Sequence, residues 1–500
     1  MDIDYIIVQA GGQGTRMESL TRNKPKALVP VNNLPMLFHL FRMFPDKKFV
    51  VIGDYKYDVL KRYLAAFADV DYQLVCGTGF SGTCAGLPAA LDCIPENTPF
   101  MLIWSDLVLP QTFQLPIETG NYIGVAKDFP CRWKFEQGEL QEEQSEEFGV
   151  AGLFLFQEKS VLGRVPAEGE FVRWLQECSF PKREFPLYQT KEYGLISEYR
   201  KQPLQRCRPF NRVTADGDTI IKEAIDRQGE ELAERERDWY QKVMAQNFRQ
   251  IPKIYSLCPL RMERIDGEPV YAYADLTFEE KRRILTEIIG CLKEVQRMGE
   301  IPADTDSFYQ AYIGKTFSRL EKVRELVPFA GEDTVVINGR RCRNIFFHRG
   351  EVEELARHYM PRNFKFIHGD CTFSNILLRG DGTPVLIDPR GYFGQTELYG
   401  DPAYDWAKLY YSIVGNYDQF NLKNFQLDIQ DGGVTLHVAS SHWEDMEDTF
   451  FSQLSEEITP RQIKLFHAII WLSLTTYAWE DYDSICGAFY NGLFFLEEAL

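Results

Sequence analysis

The sequence predicts an α/β protein of two domains, a doubly wound Rossmann-like domain followed by a two-lobed α+β domain. The length of 500 residues exceeds what one hydrophobic core normally organises. Short apolar runs alternate with helical patterns up to about residue 125, which is typical of a mostly parallel sheet covered by helices. Further along, a hairpin signal precedes a charged helix, two strands and a mainly helical remainder.

The N-terminal elements follow this alternation in order. The predicted strands are Tyr5–Val8, Phe49–Ile52, Tyr72–Val75, Phe100–Trp104 and Gly152–Phe156. A helical pattern at 57–67 separates the second strand from the third. The acidic stretch 136–147 predicts an exposed hairpin or loop.

The second domain is predicted to begin after a proline-containing polar segment at Arg200–Leu204, which places the domains at 1–202 and 203–500. A hairpin is predicted around the turn signal Ala215–Asp218. The later predicted elements are a charged helix at 230–244, strands at 254–255 and 261–263, and a buried helix near 465–477. That last stretch is shorter than the roughly 18 residues that a membrane span needs.

Composition and charge exclude several classes of function. The hydrophobic fraction of 45% and the charged fraction of 26% are those of an ordinary globular protein. The net charge of −18 repels nucleic acids and acidic membranes, so a nucleotide has to be held by local cations and backbone N–H groups. The 11 cysteines include no Cys-x-x-Cys pair, which predicts neither a disulfide framework nor a zinc site. Because the N-terminal residues carry no secretion signal, we expect a cytoplasmic location, and the oligomeric state stays open.

A glycine-rich turn follows the first strand. Gly11, Gly12 and Gly14 let backbone N–H groups approach a phosphate closely, because glycine tolerates positive φ and carries no side chain. Such a turn alone also marks ordinary strand-to-helix connections. Two cations downstream, Arg16 and Lys26, favour the phosphate interpretation, since both can converge on a triphosphate and stabilise charge on the phosphoryl oxygens.

An aspartate follows one of the apolar strands. Phe100–Trp104 leads through Ser105 to Asp106, and open α/β sheets place ligand groups at the carboxyl ends of their strands. We therefore predict that Asp106 holds Mg²⁺ against the nucleotide phosphates. An isolated aspartate is more often a turn residue or a helix cap, and it is the glycine-rich turn with Arg16 and Lys26 that favours catalysis.

The strings Gln9–Met17 and Lys24–Val31 resemble those of the sugar nucleotidyltransferases, and the resemblance covers about the first 200 residues. It implies transfer of a nucleotide from an NTP to a substrate phosphate, with release of pyrophosphate and with Mg²⁺ as cofactor. The stretch Ser81–Leu87 is similar to the part of that family that contacts the nucleotide base, which assigns Gly82 and Thr83 to the nucleotide.

One departure from this family concerns the metal site. Its members usually supply a second metal-binding aspartate late in the domain, whereas the corresponding stretch Tyr193–Tyr199 contains none. Two alternatives stay open. Either Glu198 substitutes for the aspartate, or Asp106 and the phosphates hold the metal alone.

A second set of phosphate-handling residues lies in the C-terminal half. Phosphoryl transfer to a hydroxyl needs a carboxylate near the nucleophile, oxygen ligands for Mg²⁺ and a cation on the nucleotide phosphates. Asp370, which follows His368 and Gly369, is the candidate for the first role. Asn375 follows on the same loop and Asp388 follows an apolar strand, so both are predicted to bind one Mg²⁺.

These residues resemble the aminoglycoside phosphotransferase and choline kinase family from near Cys207 to the C-terminus. The resemblance implies a protein-kinase-like fold and ATP or GTP as phosphate donor. The residues that it assigns to the nucleotide are Lys222 for the phosphates, Glu236 as the helical ion-pair partner of that lysine, and Glu263 in the interlobe segment that meets the base.

Some assignments in this half keep rivals or structural alternatives. Glu234 and Glu231 compete with Glu236 for the ion pair. The aspartates of Asp401–Asp405 are expected to brace the catalytic loop rather than to react, and His368 is expected to orient it.

Together the two sets predict a bifunctional enzyme. The second domain would phosphorylate a small hydroxyl metabolite, and the first would couple the new phosphate to an NTP. Our leading substrate is a sugar phosphorylated at its anomeric hydroxyl, because the N-terminal strings are closest to sugar-1-phosphate enzymes. The product would be an NDP-activated precursor for a surface glycan such as a capsule polysaccharide.

Other functions stay open at this point. A choline kinase joined to a CTP:phosphocholine cytidylyltransferase is the main rival, an alditol or phosphoethanolamine pathway is another, and the first domain could instead be a regulatory module. A quaternary ammonium would need an aromatic cage. Its candidate residues are Tyr404, Trp406, Tyr410, Tyr411 and Trp471. Core packing is the better explanation of these residues, so they do not decide the substrate.

Overall fold

The computed structural model describes residues 1–201 and 211–500. The chain divides into two compact units, Met1–Gln205 with Trp479–Asp483, and Arg206–Ala478 with Ser484–Leu500. The predicted boundary between residues 202 and 203 lies outside the described residues. Within the described part of the chain, no helix is long and apolar enough to cross a membrane.

The first unit is an α/β structure. Its strands are β1 (Tyr5–Gln9), β2 (Pro30–Val31), β3 (Leu34–Pro35), β4 (Lys48–Gly53), β5 (Tyr72–Cys76), β6 (Phe100–Trp104), β7 (Leu107–Val108), β8 (Tyr122–Ala126), β9 (Lys134–Glu136), β10 (Glu139–Gln141), β11 (Gly149–Phe156), β12 (Arg183–Leu187) and β13 (Lys191–Glu192). Its helices are α1 (Met36–Met43), α2 (Tyr57–Phe67), α3 (Leu87–Asp92), α4 (Phe171–Gln176) and α5 (Ile196–Arg200).

The main sheet of this unit has nine strands, in the order β10-β9-β11-β6-β1-β4-β5, with β8 pairing with β11 and β12. Strand β1 runs parallel to both β4 and β6, while β11 is antiparallel to β6. The near-continuous apolar sequences of β1 and β6 are those of strands covered on both faces. The predicted doubly wound α/β fold is confirmed, and the acidic stretch begins at the last residue of β9 and includes β10, the second strand of the β9–β10 hairpin.

The register of the central strands positions the first site. Gln9, the last residue of β1, is paired with Trp104, the last residue of β6. The glycine-rich turn after β1 and Asp106 after β6 therefore leave the sheet at the same edge. That edge is where parallel sheets present ligand groups.

The second unit begins with a strand-rich lobe and continues mainly as helices. Its strands are β14 (Asn211–Asp216), β15 (Thr219–Ala224), β16 (Ile254–Leu257), β17 (Leu260–Glu263), β18 (Glu300–Pro302), β19 (Thr334–Ile337), β20 (Arg340–Arg343), β21 (Asn363–Phe366), β22 (Ile376–Leu378), β23 (Pro384–Leu386), β24 (Tyr392–Phe393), β25 (Thr396–Glu397), β26 (Tyr399–Gly400), β27 (Phe425–Gln430) and β28 (Gly433–Val438). The remaining helices are α6 (Arg227–Ala245), α7 (Phe278–Arg297), α8 (Thr305–Tyr309), α9 (Lys315–Val323), α10 (Arg349–His358), α11 (Pro402–Ile413), α12 (Tyr417–Asn421), α13 (Glu447–Gln453), α14 (Pro460–Ser473) and α15 (Tyr482–Ala499).

The strand-rich lobe is an antiparallel sheet in the order β14-β15-β17-β16. The predicted hairpin is β14–β15, with Asp216 opposite Thr219 across its turn. Helix α6 follows, and the Asp226 side chain caps it by accepting a hydrogen bond from the Gly229 backbone N–H at 2.6 Å. The sheet and α6 carry the groups that face the second site from this lobe.

The helical part contains the predicted buried helix, but the helix ends earlier than the sequence suggests. Helix α14 stops at Ser473, and Tyr477 is half exposed. The Thr475 hydroxyl donates to the Leu472 carbonyl at 3.0 Å, which offers that carbonyl an alternative to a helical partner. An apolar composition alone does not reveal this local competition.

Candidate active sites

The glycine-rich turn of the first unit packs directly against Lys26. Gly14 has φ of 63°, a left-handed conformation that glycine adopts without strain. A Cβ atom at Gly14 would lie 3.1 Å from the aliphatic stem of Lys26. The Lys26 backbone N–H also donates to the Gly12 carbonyl at 3.3 Å. The turn therefore fixes the position of the lysine, while Gly12 stays exposed and Gly11 stays partly exposed.

Lys26 and Asp106 form an ion pair. The Lys26 ammonium is largely buried and donates to Oδ2 of Asp106. The other carboxylate oxygen of Asp106 is buried and has no hydrogen-bond partner among the described residues. A buried carboxylate oxygen without a partner is costly, so it marks a place where a ligand is expected.

A second carboxylate, which the sequence analysis missed, belongs to Glu192. Strand β13 pairs with β7, the strand that directly follows Asp106, and the Tyr193 N–H donates to the Asp106 carbonyl at 3.0 Å. Burial and the negative charge of Asp106 raise the pKa of Glu192, while Lys26 and Arg16 act to lower it. Glu192 therefore shares one electrostatic neighbourhood with the predicted catalytic groups.

The position of Glu198, the substitute considered from the sequence, is different. Its carboxylate pairs at 2.7 Å with Lys201, which directly follows α5, although its charge also helps to raise the pKa of Glu192. Glu192 lies one residue before the stretch 193–199 in which the missing aspartate was sought. Glu192 is brought to the site by the pairing of β7 with β13. Strands of two residues are too short to show a hydrophobic periodicity in the sequence.

Arg16 reaches the same neighbourhood from the turn. It is exposed, and its guanidinium lies beside Gly194, where a Cβ atom would stand 3.3 Å from Nη2. Arg16, Lys26, Asp106 and Glu192 thus lie around the edge of the sheet to which β1 and β6 lead.

The loop that contains Gly82 and Thr83 is held by hydrogen bonds to Thr83. The Thr83 hydroxyl accepts a hydrogen bond from the Phe171 N–H at 2.7 Å, so it anchors the start of α4. The Gln9 side-chain amide donates to the Thr83 carbonyl, and its Oε1 is buried without a partner in the described part of the chain. Gly82 is exposed. Because the hydroxyl only accepts in this bond, it keeps its own proton to donate, and the nucleotide contact of Thr83 stays a prediction.

The second unit contains a buried ionic cluster between its sheet and α6. Lys222 on β15 pairs with Glu236 at 2.7 Å and with Asp388 at 2.9 Å. Burial disfavours the ammonium, but the two carboxylates outweigh that effect and raise the pKa of Lys222 above its usual range. Of the three candidate partners, the structure places Glu236 against the lysine, whereas Glu231 lies 3.8 Å from Arg227.

The catalytic-loop candidates meet around Asp370. The Asn375 side-chain amide donates to the Asp370 carbonyl at 2.8 Å and to its Oδ2 at 3.1 Å. Lys408 of α11, which the sequence analysis did not single out, pairs with Oδ1 at 3.0 Å. The carboxylate is thereby held as an anion in a fixed orientation.

The backbone of this loop is held by Asp405. Its carboxylate accepts hydrogen bonds from the His368 N–H at 3.0 Å and the Gly369 N–H at 2.7 Å. His368 donates from Nε2 to the Ile387 carbonyl and accepts at Nδ1 from the Asp370 N–H. Burial lowers the pKa of His368 to about 4, so the ring is neutral and orients the loop.

Glu263 has a different environment from the one that its proposed contact with the base requires. Its carboxylate forms two hydrogen bonds to Arg379, at 2.6 and 2.8 Å, and its backbone N–H donates to the Lys253 carbonyl. The hydrogen bond from Arg379 lowers the pKa of Glu263 to about 2. The carboxylate is thus paired with Arg379, and the contact of Glu263 with the base stays a prediction.

Two protein families match this sequence, each in a different part of the chain. Residues 6–117 match the family of MobA-like NTP transferase domains, and residues 208–429 match the phosphotransferase enzyme family. The chain joins an NTP transferase domain to a phosphotransferase domain. Both are enzyme families, so the predicted nucleotidyltransferase and kinase classes are confirmed.

The curated relatives are sugar-phosphate nucleotidyltransferases, the class that the N-terminal part of the chain resembles. A UTP–glucose-1-phosphate uridylyltransferase of Haloferax volcanii is 40% identical over 104 residues, covering 20% of this chain and 42% of the relative. A glucose-1-phosphate cytidylyltransferase of Salmonella typhimurium is 36% identical over 75 residues, 14% of this chain and 29% of the relative. The chain thus spans less than half the length of these relatives. Among solved structures, the inositol-1-phosphate CTP transferase of T. maritima has a TM-score of 0.34 and 15% identity, covering 39% of this chain and 91% of that one.

The transferase domain offers oxygen ligands that fit Mg²⁺. No group of three or more His, Cys, Asp or Glu side chains is placed to hold a metal within residues 1–201 and 211–500. Mg²⁺ is, however, usually held by one or two carboxylates together with substrate phosphates. Asp106, with its unpartnered buried oxygen, and Glu192 supply such a pair.

The phosphotransferase domain offers a comparable donor set. Asp388 has φ of 54°, a conformation that aspartate tolerates better than most residues, and its carboxylate lies against Lys222. Asn375 adds an amide oxygen from the catalytic loop. A carboxylate and an amide oxygen are ligands that Mg²⁺ accepts.

The aromatic residues considered for a cage divide into two groups. Trp406, Tyr410 and Trp471 are buried in the core. Tyr404 and Tyr411 line a cavity of about 330 Å³ beside Asp370, but the Tyr404 hydroxyl accepts a hydrogen bond from Arg390 at 2.7 Å. Tyr312, Tyr392, Tyr417 and Tyr477 line the same cavity, so it is rich in aromatic side chains, but the cations Lys315, Arg319 and Arg390 share that lining.

Proposed function

We propose that this protein phosphorylates a small hydroxyl metabolite in its phosphotransferase domain and couples the resulting phosphate to an NTP in its transferase domain. The observation that carries the proposal is that each domain presents a carboxylate and a lysine in the arrangement its reaction needs. The transferase domain presents Lys26 with Asp106, and the phosphotransferase domain presents Lys222 with Asp388, beside Asp370.

In the phosphoryl step, the acceptor hydroxyl faces Asp370. Asn375 and Lys408 fix the carboxylate, which accepts the hydroxyl proton as the oxygen attacks the terminal phosphorus of the donor. Lys222 lies at the donor phosphates and is itself positioned by Glu236. Mg²⁺ bound at Asn375 and Asp388 would neutralise phosphate charge.

In the nucleotidyl step, an oxygen of the substrate phosphate attacks the α-phosphorus of an NTP, and pyrophosphate leaves. Lys26 and Arg16 stabilise the negative charge that increases on the phosphoryl oxygens, and the N–H groups of the glycine-rich turn act in the same way. Mg²⁺ held by Asp106 and Glu192 would add a further positive charge. No covalent intermediate with the protein is required.

For the substrate we propose a sugar whose anomeric hydroxyl is phosphorylated and then activated. The relatives named above act on glucose 1-phosphate, and their similarity to this chain falls within the domain that would bind the sugar phosphate. An NDP-activated sugar of this kind would serve glycan synthesis. The presence of Glu192 beside the charges of Asp106, Lys26 and Arg16 favours an active first domain over the regulatory alternative.

The test follows both reactions in the full-length chain. Free sugars are incubated with ATP or GTP, each NTP is then added, and sugar phosphate and pyrophosphate are measured. We expect Asp370→Asn to abolish sugar phosphate formation but to leave pyrophosphate release intact when a sugar 1-phosphate is supplied. Asp106→Asn should give the converse result. Failure of the wild-type chain to form sugar phosphate or release pyrophosphate with any pair would refute the proposal.

A further inference from the structure

The cavity beside Asp370 is unusually cationic for so acidic a chain. The chain carries a net charge of −18, yet this cavity of about 330 Å³ is lined by five cations and only three carboxylates. The carboxylates are Glu236, Asp370 and Asp388. Positive charge concentrated in a cleft attracts anionic ligands.

The three carboxylates already neutralise two of the cations. Lys222 pairs with Glu236 and Asp388, and Lys408 pairs with Asp370. The three cations that remain are Lys315, Arg319 and Arg390. In residues 211–500, none of these three forms an ion pair with a carboxylate.

Neutral groups hold two of these cations in place. Arg319 donates to the Ser473 carbonyl at 2.5 Å and to the Ser473 hydroxyl at 3.1 Å. Arg390 donates to the hydroxyls of Tyr404 and Tyr392, and its guanidinium lies 4.3 Å from the centre of the Tyr392 ring. These contacts orient the positive charges without neutralising them.

Lys315 is the least compensated of the three. It stands at the start of α9, one turn before Arg319, so two like charges share one face of the helix. Burial and the positive charges of Arg390, Arg319 and Lys408 lower the pKa of Lys315 well below its usual range, and the Asp370 carboxylate opposes them only in part. Clustered cations without a counter-ion destabilise a domain, and a ligand anion would remove that cost.

We propose that the acceptor of the phosphotransferase domain carries an anionic group, a phosphate ester or a carboxylate, which Lys315, Arg319 and Arg390 bind while its hydroxyl faces Asp370. The inference rests on the phosphoryl transfer proposed above and defines its substrate class. A second cavity of about 240 Å³ shares Lys315 and Arg390 with the first, so the two cations stand where both spaces meet. Cationic acceptors such as choline and ethanolamine are disfavoured because these three charges repel them.

The chemical step is balanced without a further reactant. The acceptor oxygen forms a bond to the terminal phosphorus of the NTP as the bond to the bridging oxygen breaks, and the NDP leaves. The acceptor proton goes to the Asp370 carboxylate. The product then carries two anionic groups, the new phosphate and the one that the acceptor brought with it.

The first experiment compares acceptors that share a carbon skeleton and differ in charge, using the full-length chain and release of NDP. The panel is glucose, glucuronate and glucose 6-phosphate, then glycerol, glycerate and glycerol 3-phosphate, with choline and ethanolamine as cationic acceptors. We expect kcat/KM for an anionic member to exceed that of its neutral counterpart roughly ten- to a hundred-fold. Comparing the phosphate ester with the carboxylic acid of the same skeleton shows which of the two anionic groups the cavity recognises. Equal or better turnover of neutral or cationic acceptors would overturn the inference while leaving the proposed function intact.

A pair of variants on the same helix tests the role of the cations. Lys315→Met should raise KM for the anionic acceptor roughly ten-fold or more, and it should leave KM for the NTP within two-fold. Lys322→Met is the matched control, because Lys322 is exposed at the other end of α9. Equal effects of the two substitutions on KM would contradict the proposal.

A binding measurement decides the matter if no acceptor in the panel turns over. Inorganic phosphate and tetramethylammonium are titrated into the full-length chain saturated with an unreactive ATP analogue. Phosphate should bind the wild type and the Lys322→Met variant, and Lys315→Met should weaken it at least ten-fold. Binding of tetramethylammonium, or phosphate affinity unchanged by Lys315→Met, would refute the inference. Absence of any Asp370-dependent NTP turnover would instead count against the proposed function.

Discussion

Glu192 and Glu198 lie on one short stretch of the transferase domain, but their surroundings differ. Glu192 is partly buried near Asp106, Lys26 and Arg16, whereas Glu198 pairs with Lys201. Two carboxylates near each other raise each other's pKa unless cations or a metal compensate them. The difference between the two glutamates can therefore be tested by the same conservative substitution at each position.

We expect Glu192→Gln to reduce pyrophosphate release by about a hundred-fold or more, because it removes a charge next to the reacting phosphates. Glu198→Gln should change it by less than about two-fold, since an exposed pair contributes little. Both variants are assayed with a supplied sugar 1-phosphate, and NDP release by the other domain serves as the internal control. A larger loss in Glu198→Gln would show that the wrong carboxylate has been assigned.

At the residue scale, motifs reveal the groups that sit in short, characteristic strings. Lys26, Asp106, Asp370 and Asp388 could be predicted in this way, and the structure places each in an ionic cluster. Lys315 could not be predicted, because it reaches the cavity from a helix that is distant in sequence from the catalytic loop. A lone lysine on a helix gives no sequence signal for the space that it faces.

At the element scale, the resemblance assigns Glu263 to the nucleotide, but the Glu263 carboxylate accepts two hydrogen bonds from Arg379. The assignment depended on its position at the end of β17, before the interlobe segment. The two hydrogen bonds to Arg379 cannot be foreseen, because Arg379 follows β22 and its approach depends on tertiary packing. Strand positions are therefore predictable here, but side-chain partners across strands are not.

We expect Glu263→Gln to destabilise the chain by about 1 kcal/mol at neutral pH, and to leave KM for ATP within two-fold. The folded-state pKa of about 2 lies below the unfolded value, so this contribution is present above about pH 4 and is lost as pH falls toward 2. Thermal unfolding and NDP release measure the two effects. Glu268→Gln, at an exposed position nearby, is the control. A ten-fold rise in KM with unchanged stability would restore the nucleotide-binding role.

Turn chemistry and apolar runs account for most of the elements that were predicted correctly. The β14–β15 hairpin follows from Ala215–Asp218, and β6 follows from an uninterrupted apolar run. The two-residue strands β7 and β13 are too short for any periodicity. They are formed by pairing alone, which explains why the Glu192 position was missed.

At the scale of the whole molecule, acid stability depends on buried groups that titrate in opposite directions. Burial lowers the pKa of His467 to about 3, and the Trp471 indole donates to its Nε2 at 3.0 Å. Burial raises the pKa of Asp401 to about 7 and of Asp405 to about 6. As pH falls, protonation of the histidine weakens the fold, whereas protonation of these two carboxyls strengthens it.

The histidine contribution can be isolated with His467→Gln. Its folded pKa is below the unfolded value of about 6.5, so its stabilising effect is complete above that pH and is lost as pH falls toward 3. At pH 5 the wild type should have lost roughly 2 kcal/mol of this contribution, and the variant none. Urea unfolding of both chains at pH 7 and pH 5 measures the difference. An identical change in both chains would contradict the assignment.

The ion pair between Lys26 and Asp106 has a consequence for the order in which ligands arrive. A nucleotide without a divalent cation meets a lysine that is already neutralised, and a free cation meets a carboxylate that is already neutralised. If the nucleotide and the divalent cation enter together as a chelate, the ion pair between Lys26 and Asp106 is replaced by two others. Lysine then pairs with the phosphates, and aspartate pairs with the cation. Lys222 and Asp388 impose the same condition on the phosphotransferase domain. On the proposed function, we therefore expect each domain to discriminate against uncomplexed nucleotide before any chemistry begins.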